Sequence, residues 1–294
     1  MNYRADEIEL AKFLLPTWGH MIPWAFIKKV GPVKWFFRYG ILQFRKRVLK
    51  RPSTLLLPTG SRVYLPRNSG FATEVYVTNA DVDWGAEALI ARFADPNRDF
   101  LDIGAHFGYY SVYLAPLVRR AYAFEPSTRI LPDLYNNARR TPNIEVVESA
   151  VSHYDGDAEF HLGLATPLGS LEDVGGEVTK VNVTTIDTFV KQHGDVAPCL
   201  VKTDIEGHDI AALKGMNATV LKHQPIIISE LVVTQELADL CDGWNYSIFA
   251  NVRDRKTLRT TFRQLSIHDN DYWSHMLVLV PESLHPDFAA MTKK

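Results

Sequence analysis

The sequence of 294 residues predicts an α/β protein built around a mostly parallel sheet. Hydrophobic residues make up 46% of the chain and charged residues 22%, which is typical of a globular protein and excludes disordered and fibrous classes. From residue 100 onward, short apolar runs alternate with helix-length segments, as expected for crossover units. Polar residues follow several of these runs. Such sheets bind ligands beyond the carboxyl ends of their strands, so we expect the functional site there.

The chain divides by pattern into three parts. Residues 1–52 predict a helical extension that is basic and aromatic and is interrupted by prolines. Residues 53–99 predict a β-hairpin, with strands at 54–57 and 62–65, followed by a helix over 84–93. Residues 100–294 hold the main sheet domain, and its strands are predicted at 100–103, 121–124, 144–147, 200–205, 225–231 and 276–280.

Residues 10–73 contain twelve lysines and arginines and neither Asp nor Glu, although the net charge of the whole chain is −2. Tryptophans, phenylalanines and a tyrosine are interleaved with these cations. This mixture favours contact of residues 10–52 with an anionic membrane surface or a phosphate-bearing ligand. The alternative is a helical cap that buries its aromatic residues while its cations stay solvated. We expect no nucleic-acid partner, because residues 74–294 carry the compensating negative charge.

The chain has two cysteines, Cys199 and Cys241, which cannot form a disulfide framework. Its start lacks the charge and hydropathy pattern of a secretory signal. The longest uncharged stretch, residues 13–27, is too short for a membrane span and contains two prolines. We therefore expect a cytoplasmic protein with reduced thiols, with residues 10–52 as the only candidate for peripheral contact with the inner membrane face.

The segment FLDIGAHFGYYS at 100–111 predicts a buried strand, a tight glycine turn and the start of a helix. Glycines in such a turn let the backbone approach a ligand closely. A dinucleotide site would place another glycine where His106 stands, so an NAD-dependent dehydrogenase is disfavoured. The acid at the strand end instead suits a cofactor that carries an ammonium and a sulfonium group. The expected cofactor contacts are Asp102, Gly104, Ala105, His106 and Gly108.

Two further strand ends add candidate contacts. Glu125 directly follows the second apolar run, where an acid can accept hydrogen bonds from both hydroxyl groups of a ribose. Ser149 and Ala150 follow the third run, where an adenine ring is expected. Together these positions predict an adenosine-containing ligand.

Several sequence blocks resemble the FkbM-type S-adenosylmethionine-dependent methyltransferases. They cover residues 100–281 in order and are LDIGAHFGYYS, AYAFEPS, the pair Asn136 and Asn137, VVESAVS, TTIDTF, VKTDIEGHDIAALKGM and IIISEL. The resemblance implies a Rossmann-like class I methyltransferase fold with seven strands, S-adenosyl-L-methionine as cofactor, and methyl transfer to a hydroxyl group of a sugar or related natural product. His106 and the segment Gly207-His208-Asp209 depart from the usual family residues.

The VKTDIEG block at the fourth strand carries the catalytic candidates. An oxygen nucleophile must be aligned with the methyl group and must lose its proton. We expect Asp204 to position cofactor or substrate, and Glu206 or His208 to accept the proton. The alternative is that Lys202 only pairs with one of these carboxylates to satisfy a buried strand end.

No metal is expected in this protein. The alternative is a divalent ion that polarises a sugar diol, held by oxygen atoms of Asp204, Glu206 and Glu230. These three acids are expected at the edge of the sheet where the parallel strands have their carboxyl ends. His268 and His275 lie in a polar loop before the last strand. They are expected to be ordinary surface residues, and contact of this loop with the acceptor is the alternative.

The sequence thus predicts an O-methyltransferase that acts on a sugar, a polysaccharide, a glycolipid or a related natural product. Two alternatives remain open, namely a non-catalytic scaffold that keeps the fold and a methyltransferase that acts on a small molecule other than a glycan.

Overall fold

The structure is a computed structural model that describes residues 24–162, 169–171, 177–205, 207–253, 260–269 and 272–292. The predicted catalytic residue Glu206 and residues 10–23 of the basic segment lie outside these ranges.

The amino-terminal part consists of helices and a β-hairpin. Helix α1 (Trp24–Val30) precedes α2 (Pro32–Gln43), which continues as a single π-helical turn (Phe44–Val48). Strands β1 (Ser53–Leu56) and β2 (Arg62–Leu65) form the predicted antiparallel hairpin. Helices α3 (Gly70–Thr78) and α4 (Ala86–Ala91) follow, and α4 lies within the predicted helix at 84–93. These elements pack their apolar side chains onto one face of the main sheet.

The main sheet has the strand order β13-β12-β14-β11-β10-β3-β4-β5. Its strands are β3 (Asp99–Ile103), β4 (Arg120–Phe124), β5 (Ile144–Val147), β10 (Pro198–Thr203), β11 (Ile226–Ser229), β12 (Tyr246–Arg253), β13 (Thr260–Leu265) and β14 (Leu277–Pro281). The five strands from β11 to β5 are parallel, whereas β14, β12 and β13 pair antiparallel. The predicted α/β class is confirmed.

The seven strands implied by the family resemblance are one fewer than the eight observed. The additional strand is β13, which pairs with β12 at the edge of the sheet. Most of its side chains are exposed or partly exposed, so the strand has no apolar run that a sequence pattern could reveal. A separate four-stranded sheet, which was not predicted, contains β6 (Ala150–Val151), β7 (Gly156–Leu162), β8 (Gly169–Ser170) and β9 (Glu177–Thr184).

Helices cover both faces of the main sheet. They are α5 (Tyr109–Leu114), α6 (Leu131–Ala138), α7 (Ile186–His193), α8 (Asp209–Lys214), α9 (Asn217–His223), α10 (Gln235–Trp244) and α11 (His285–Met291). Successive strand residues point to opposite faces, so Phe100 joins one apolar cluster and Leu101 joins the other. Burial on both faces explains why the parallel strands were visible as continuous apolar runs.

The strand order changes direction between β3 and β10. From β3 the chain builds outward through β4 and β5, and from β10 it builds outward on the other side through β11. A crevice opens at such a switch point, outside the carboxyl ends of the two central strands. The glycine turn after β3 and the acidic segment after β10 both lie at this edge.

Candidate active site

Gly104 starts the turn after β3 and has a φ of +78°, a conformation that favours glycine. A Cβ atom at this position would lie 2.1 Å from the carbonyl oxygen of Asp204. The glycine therefore lets the ends of β3 and β10 approach each other. The contact of Gly104 with a cofactor stays a prediction.

Gly108 also has a positive φ, of +83°, and its contact with a cofactor likewise stays a prediction. A Cβ atom there would lie 2.8 Å from Cδ1 of Leu134, a side chain of α6. Both glycines thus tighten the packing around the turn. The turn itself remains at the predicted place, between the buried strand β3 and helix α5.

Asp102 is fully buried at the end of β3. Its Oδ2 atom accepts hydrogen bonds from the Ser111 backbone N–H at 2.9 Å and from the Ser111 hydroxyl at 2.6 Å. Burial raises the pKa of Asp102, although Lys202 and the Ser111 donors act in the opposite direction. Asp102 therefore fixes helix α5 relative to the strand, and its contact with a cofactor stays a prediction.

Glu125 joins the end of β4 to the glycine turn. Its Oε2 atom accepts a hydrogen bond from the His106 backbone N–H, and its Oε1 atom accepts one from the Ser127 backbone N–H, each at 2.9 Å. Burial raises the pKa of Glu125 to about 7. Each carboxylate oxygen has two lone-pair sites, so both oxygens keep capacity for a further donor such as a ribose hydroxyl.

His106 occupies the left-handed backbone region, with a φ of +52°. Its ring contacts the rings of Phe71 and Phe107. Burial lowers the pKa of His106 to about 4, so the imidazole is neutral at physiological pH. Its Nδ1 atom is buried and has no hydrogen-bond partner within the described ranges.

Lys202 and Asp204 form an ion pair at the end of β10. The Nζ atom of Lys202 lies 3.2 Å from Oδ2 of Asp204 and 4.0 Å from Oδ1 of Asp102, and it donates to the Gly104 carbonyl oxygen at 3.3 Å. Burial alone would raise the pKa of Asp204, but the Lys202 charge and a hydrogen bond with Glu230 lower it overall. Asp204 is therefore ionised and suits positioning better than proton acceptance.

The strand itself ends earlier than predicted, at Thr203 rather than at residue 205. Asp204 nevertheless stays at the sheet edge, because its backbone N–H donates to the Ile103 carbonyl oxygen at 3.1 Å. The pairing of Lys202 with one carboxylate, which the sequence left open as the alternative to a catalytic role, is present between Lys202 and Asp204. Glu206 lies outside the described residues.

The other sequence candidates lie around this centre. The Nε2 atom of His208 lies 2.9 Å from the Ser152 hydroxyl oxygen, so its ring faces the segment that follows β6. Ser149 is partly buried, and Ala150 is buried as the first residue of β6. Ser149 and Ala150 lie two and three residues beyond the end of β5, and their adenine contact stays a prediction.

His275 and Asp83 form a second polar centre that the sequence did not reveal. The Nδ1 atom of His275 lies 2.9 Å from Oδ1 of Asp83, and the Tyr110 hydroxyl donates to Oδ2 of Asp83 at 2.5 Å. Burial alone would lower the pKa of His275, but the Asp83 carboxylate raises it to about 10. The charges of Glu230 and Asp204 contribute to this raised pKa. The Asp83–His275 pair therefore lies beside the Lys202 centre. The expectation that His275 is an ordinary surface residue is wrong.

Two more acids in the segment before β3 surround Asp83. Glu87 is buried, and its Oε1 atom accepts hydrogen bonds from the backbone N–H groups of Val82 and Asp83 and from the Tyr109 hydroxyl. Burial raises the pKa of Glu87 to about 8, and it raises the pKa of Glu74 to about 7. Glu87 therefore fixes the backbone that presents Asp83 to His275.

Arg253 ends β12 at the same edge of the sheet. Its guanidinium lies 4.1 Å from the ring centre of Trp84 and 5.8 Å from that of Trp273. Arg253 is only 8% exposed, and its Nε atom has no hydrogen-bond partner in the part of the chain that the structure describes. No described acidic side chain forms an ion pair with it. Trp84 adjoins Asp83 and Trp273 is close to His275 in sequence, so this cation borders the His275 centre.

Within the described ranges, no group of three or more His, Cys, Asp or Glu side chains is arranged to hold a metal ion. The oxygen-ligand set considered from the sequence includes Glu206, which those ranges do not cover. No helix in the described part of the chain has both the length and the apolar character needed to cross a membrane.

The doubly wound sheet, with its glycine turn and with acids at the ends of three adjacent strands, defines the class I methyltransferase architecture. Residues 102–240 match the family model described as the methyltransferase FkbM domain. Residues 102–240 thus match a methyltransferase domain of the FkbM type, as the sequence blocks predict.

Individual relatives are distant. The hexuronic acid methyltransferase AglP of Haloferax volcanii is 23% identical over 184 residues, which cover 58% of this chain and 76% of that protein. Among solved structures, the methyltransferase FkbM from Methylobacillus flagellatus KT is 18% identical with a TM-score of 0.42. That match covers 70% of this chain and about half, 52%, of the other chain.

Proposed function

We propose that this protein transfers a methyl group from S-adenosyl-L-methionine to a hydroxyl oxygen of a sugar-containing acceptor. The observation that carries the proposal is the acidic switch point of the sheet, where Asp102, Glu125 and Asp204 lie around one glycine turn. The carboxylates outnumber the one lysine there, and this charge favours a ligand with an ammonium and a sulfonium group.

The donor set fits the cofactor. Glu125 would accept hydrogen bonds from the ribose hydroxyls, since each of its oxygens accepts one backbone N–H and keeps capacity for a further donor. The backbone after β5, at Ser149 and Ala150, would border the adenine. Asp204 would face the cationic end. When bound, S-adenosyl-L-methionine would supply a methyl group that its sulfonium already activates.

The protein must then align the acceptor oxygen and take its proton. Lys202 keeps Asp204 ionised and fixed, so Asp204 would accept a hydrogen bond that orients the acceptor. The His275 side chain is 26% exposed, so a small molecule can reach it, whereas the Asp83 carboxylate that pairs with it is buried. Glu206 and His208 remain the predicted proton acceptors.

Arg253 favours an acceptor that carries an anionic group, such as a uronic acid. A buried guanidinium with no acidic partner in the described ranges can form a charge-assisted, bidentate pair with a carboxylate. The flanking tryptophans Trp84 and Trp273 offer apolar ring surface to a sugar. The relative AglP is a hexuronic acid methyltransferase, which supports this choice.

The test is an assay of labelled methyl transfer from S-adenosyl-L-methionine into the polysaccharide and lipid fractions of the source organism, with cofactor binding measured by calorimetry. We expect labelled, alkali-stable product, which indicates an ether rather than an ester. Binding without transfer to any fraction would favour the scaffold alternative, and label in a soluble non-sugar compound would favour the small-molecule alternative. No binding of S-adenosyl-L-methionine would refute the proposal.

A further inference from the structure

Helix α2 and the turn after it present a large apolar surface to solvent. The exposed fractions reach 84% for Val33 and 70% for Phe37, and the other exposed members of this surface are Phe36, Phe44, Val48 and Leu49. Their spacing along the chain follows the helical repeat, so they share one side of a continuous helical segment. We call these six residues the outer face of α2. Contiguous apolar patches of this kind mark interaction sites.

The orientation of this helix is fixed by its opposite side. Trp35 and Leu42 are buried against the protein, and Tyr39 stacks on Trp35 with ring centres 4.8 Å apart. The Arg38 guanidinium donates to the Tyr76 carbonyl oxygen of α3, and the Lys46 ammonium donates to the Thr73 hydroxyl. The apolar outer face is therefore turned outward by firm packing on α3.

Exposed cations accompany the outer face of α2 along the chain. They are Lys28, Lys34, Arg45, Arg47, Lys50 and Arg51. Within the described ranges, none of these six forms an ion pair with an acidic side chain, and residues 10–73 contain no acid. By contrast, Lys29 turns toward the protein and pairs with Asp81 at 2.8 Å. The outward-facing charge is therefore uncompensated.

We propose that the outer face of α2 binds the anionic surface of a lipid bilayer. Phenylalanines would enter the boundary between headgroups and acyl chains, and the six cations would contact anionic headgroups. Each such cation contributes about 1 kcal/mol near an anionic membrane. A second copy of this chain is disfavoured as the occupant, because it would bring the same six cations against this face.

The position of the surface relates lipid binding to the active site. Helix α3 lies between the two, since Tyr76 contacts Arg38 of α2 while Phe71 contacts the His106 ring. Docking would therefore hold the crevice within one helix layer of the membrane. Lipid binding itself does not depend on the proposed methyl transfer, so each proposal can fail without the other.

The experiment is co-sedimentation of the full chain with vesicles of phosphatidylcholine alone or of phosphatidylcholine mixed with phosphatidylglycerol. We expect binding to the mixed vesicles, at least about tenfold weaker binding to phosphatidylcholine, and a loss of affinity as salt increases. The double variant Phe36→Ser/Phe37→Ser should bind the mixed vesicles at least about tenfold more weakly. Its melting temperature should not fall, because both side chains are exposed.

Leu221→Ser is the matched control, because Leu221 is an exposed apolar residue on a different helix, α9. It should bind vesicles like the unmodified protein. The proposal is overturned if the unmodified protein ignores phosphatidylglycerol, or if the double variant binds equally well. It is also overturned if the unmodified protein does not bind vesicles and the double variant either melts at a lower temperature or loses a concentration-dependent dimer. In that case, other parts of the protein or a second copy of it would cover this face.

Discussion

The imidazole of His275 is held 2.9 Å from the carboxylate of Asp83, although one residue precedes the last strand of the sheet and the other precedes the first parallel strand. The antiparallel direction of β14 makes this possible. Its amino-terminal end lies at the edge where the parallel strands have their carboxyl ends, so His275 arrives beside Asp204 and Glu230. A charged pair thus borders the predicted cofactor crevice.

Asp83→Asn should remove the cause of the raised pKa of His275. The pKa, about 10 in the intact pair, should fall toward or below its ordinary value of 6.5, and NMR titration of the ring can measure it. Because the folded-state pKa is raised, the pair contributes stability that is fully present below pH 6.5 and is lost as pH rises through about 10. The free energy of unfolding of the variant should lack this decline. An equal decline in both proteins would contradict the pairing.

Glu125→Gln should weaken the binding of S-adenosyl-L-methionine by about 10- to 100-fold, because hydrogen bonds to a charged acceptor contribute about 1.5–3 kcal/mol. Calorimetry measures the affinity, and Glu148→Gln, an exposed acid near the same sheet edge, is the control. Burial raises the pKa of Glu125 from 4.5 to about 7. Between these pH values the carboxyl group ionises more readily in the unfolded state, so the free energy of unfolding falls as the pH rises. The glutamine variant should therefore lose less stability over that interval. Unchanged cofactor affinity would exclude the ribose role.

Lys202→Met should destabilise the protein by about 3–5 kcal/mol, because it leaves Asp102 and Asp204 without their cation. Urea unfolding measures the change, with the exposed Lys191→Met as control. Adding Asp204→Asn to the Lys202 variant should recover part of the loss, since one uncompensated charge is removed. A Lys202 variant as stable as the control would show that the pair contributes little.

Arg253→Met should raise the KM for a uronate-containing acceptor by at least about tenfold and leave cofactor affinity unchanged, because a charge-assisted pair is lost. Arg253→Lys should retain the charge but not the bidentate geometry, so its KM should be intermediate. The neutral sugar of the same ring type serves as the comparison substrate. Equal effects on both substrates would indicate that Arg253 only packs between the two tryptophans.

Glu206→Gln should lower turnover by about 100-fold or more while sparing cofactor affinity, as expected for removal of a general base. Single-turnover kinetics with a saturating acceptor measures the step. His208→Gln is the companion variant, because His208 is the other predicted acceptor. Wild-type turnover in the Glu206 variant would rule out this residue as the base.

Local patterns in the sequence determined much of the fold and of the cofactor crevice. Strands buried on both faces are continuous apolar runs, and the residue after each run lies at a known edge of a parallel sheet, so Asp102, Glu125 and Asp204 could be placed together without coordinates. Strand β13 was not predicted, because an exposed edge strand has no continuous apolar run. Helix α2 and its cations were visible, but which aromatic side chains face outward was not.

Only the tertiary structure decided which groups meet across the edge. Three contacts depend on strand direction and register. They are the pairing of Asp83 with His275, the position of the Arg253 guanidinium near two tryptophans, and the contact of Lys202 with two carboxylates. No spacing within the chain encodes these distances, because the partners come from separate elements. The physical reason is that the burial of apolar residues can be predicted from local patterns in the sequence. The ionisation of an acid or a histidine instead depends on which charges the fold places within a few ångströms.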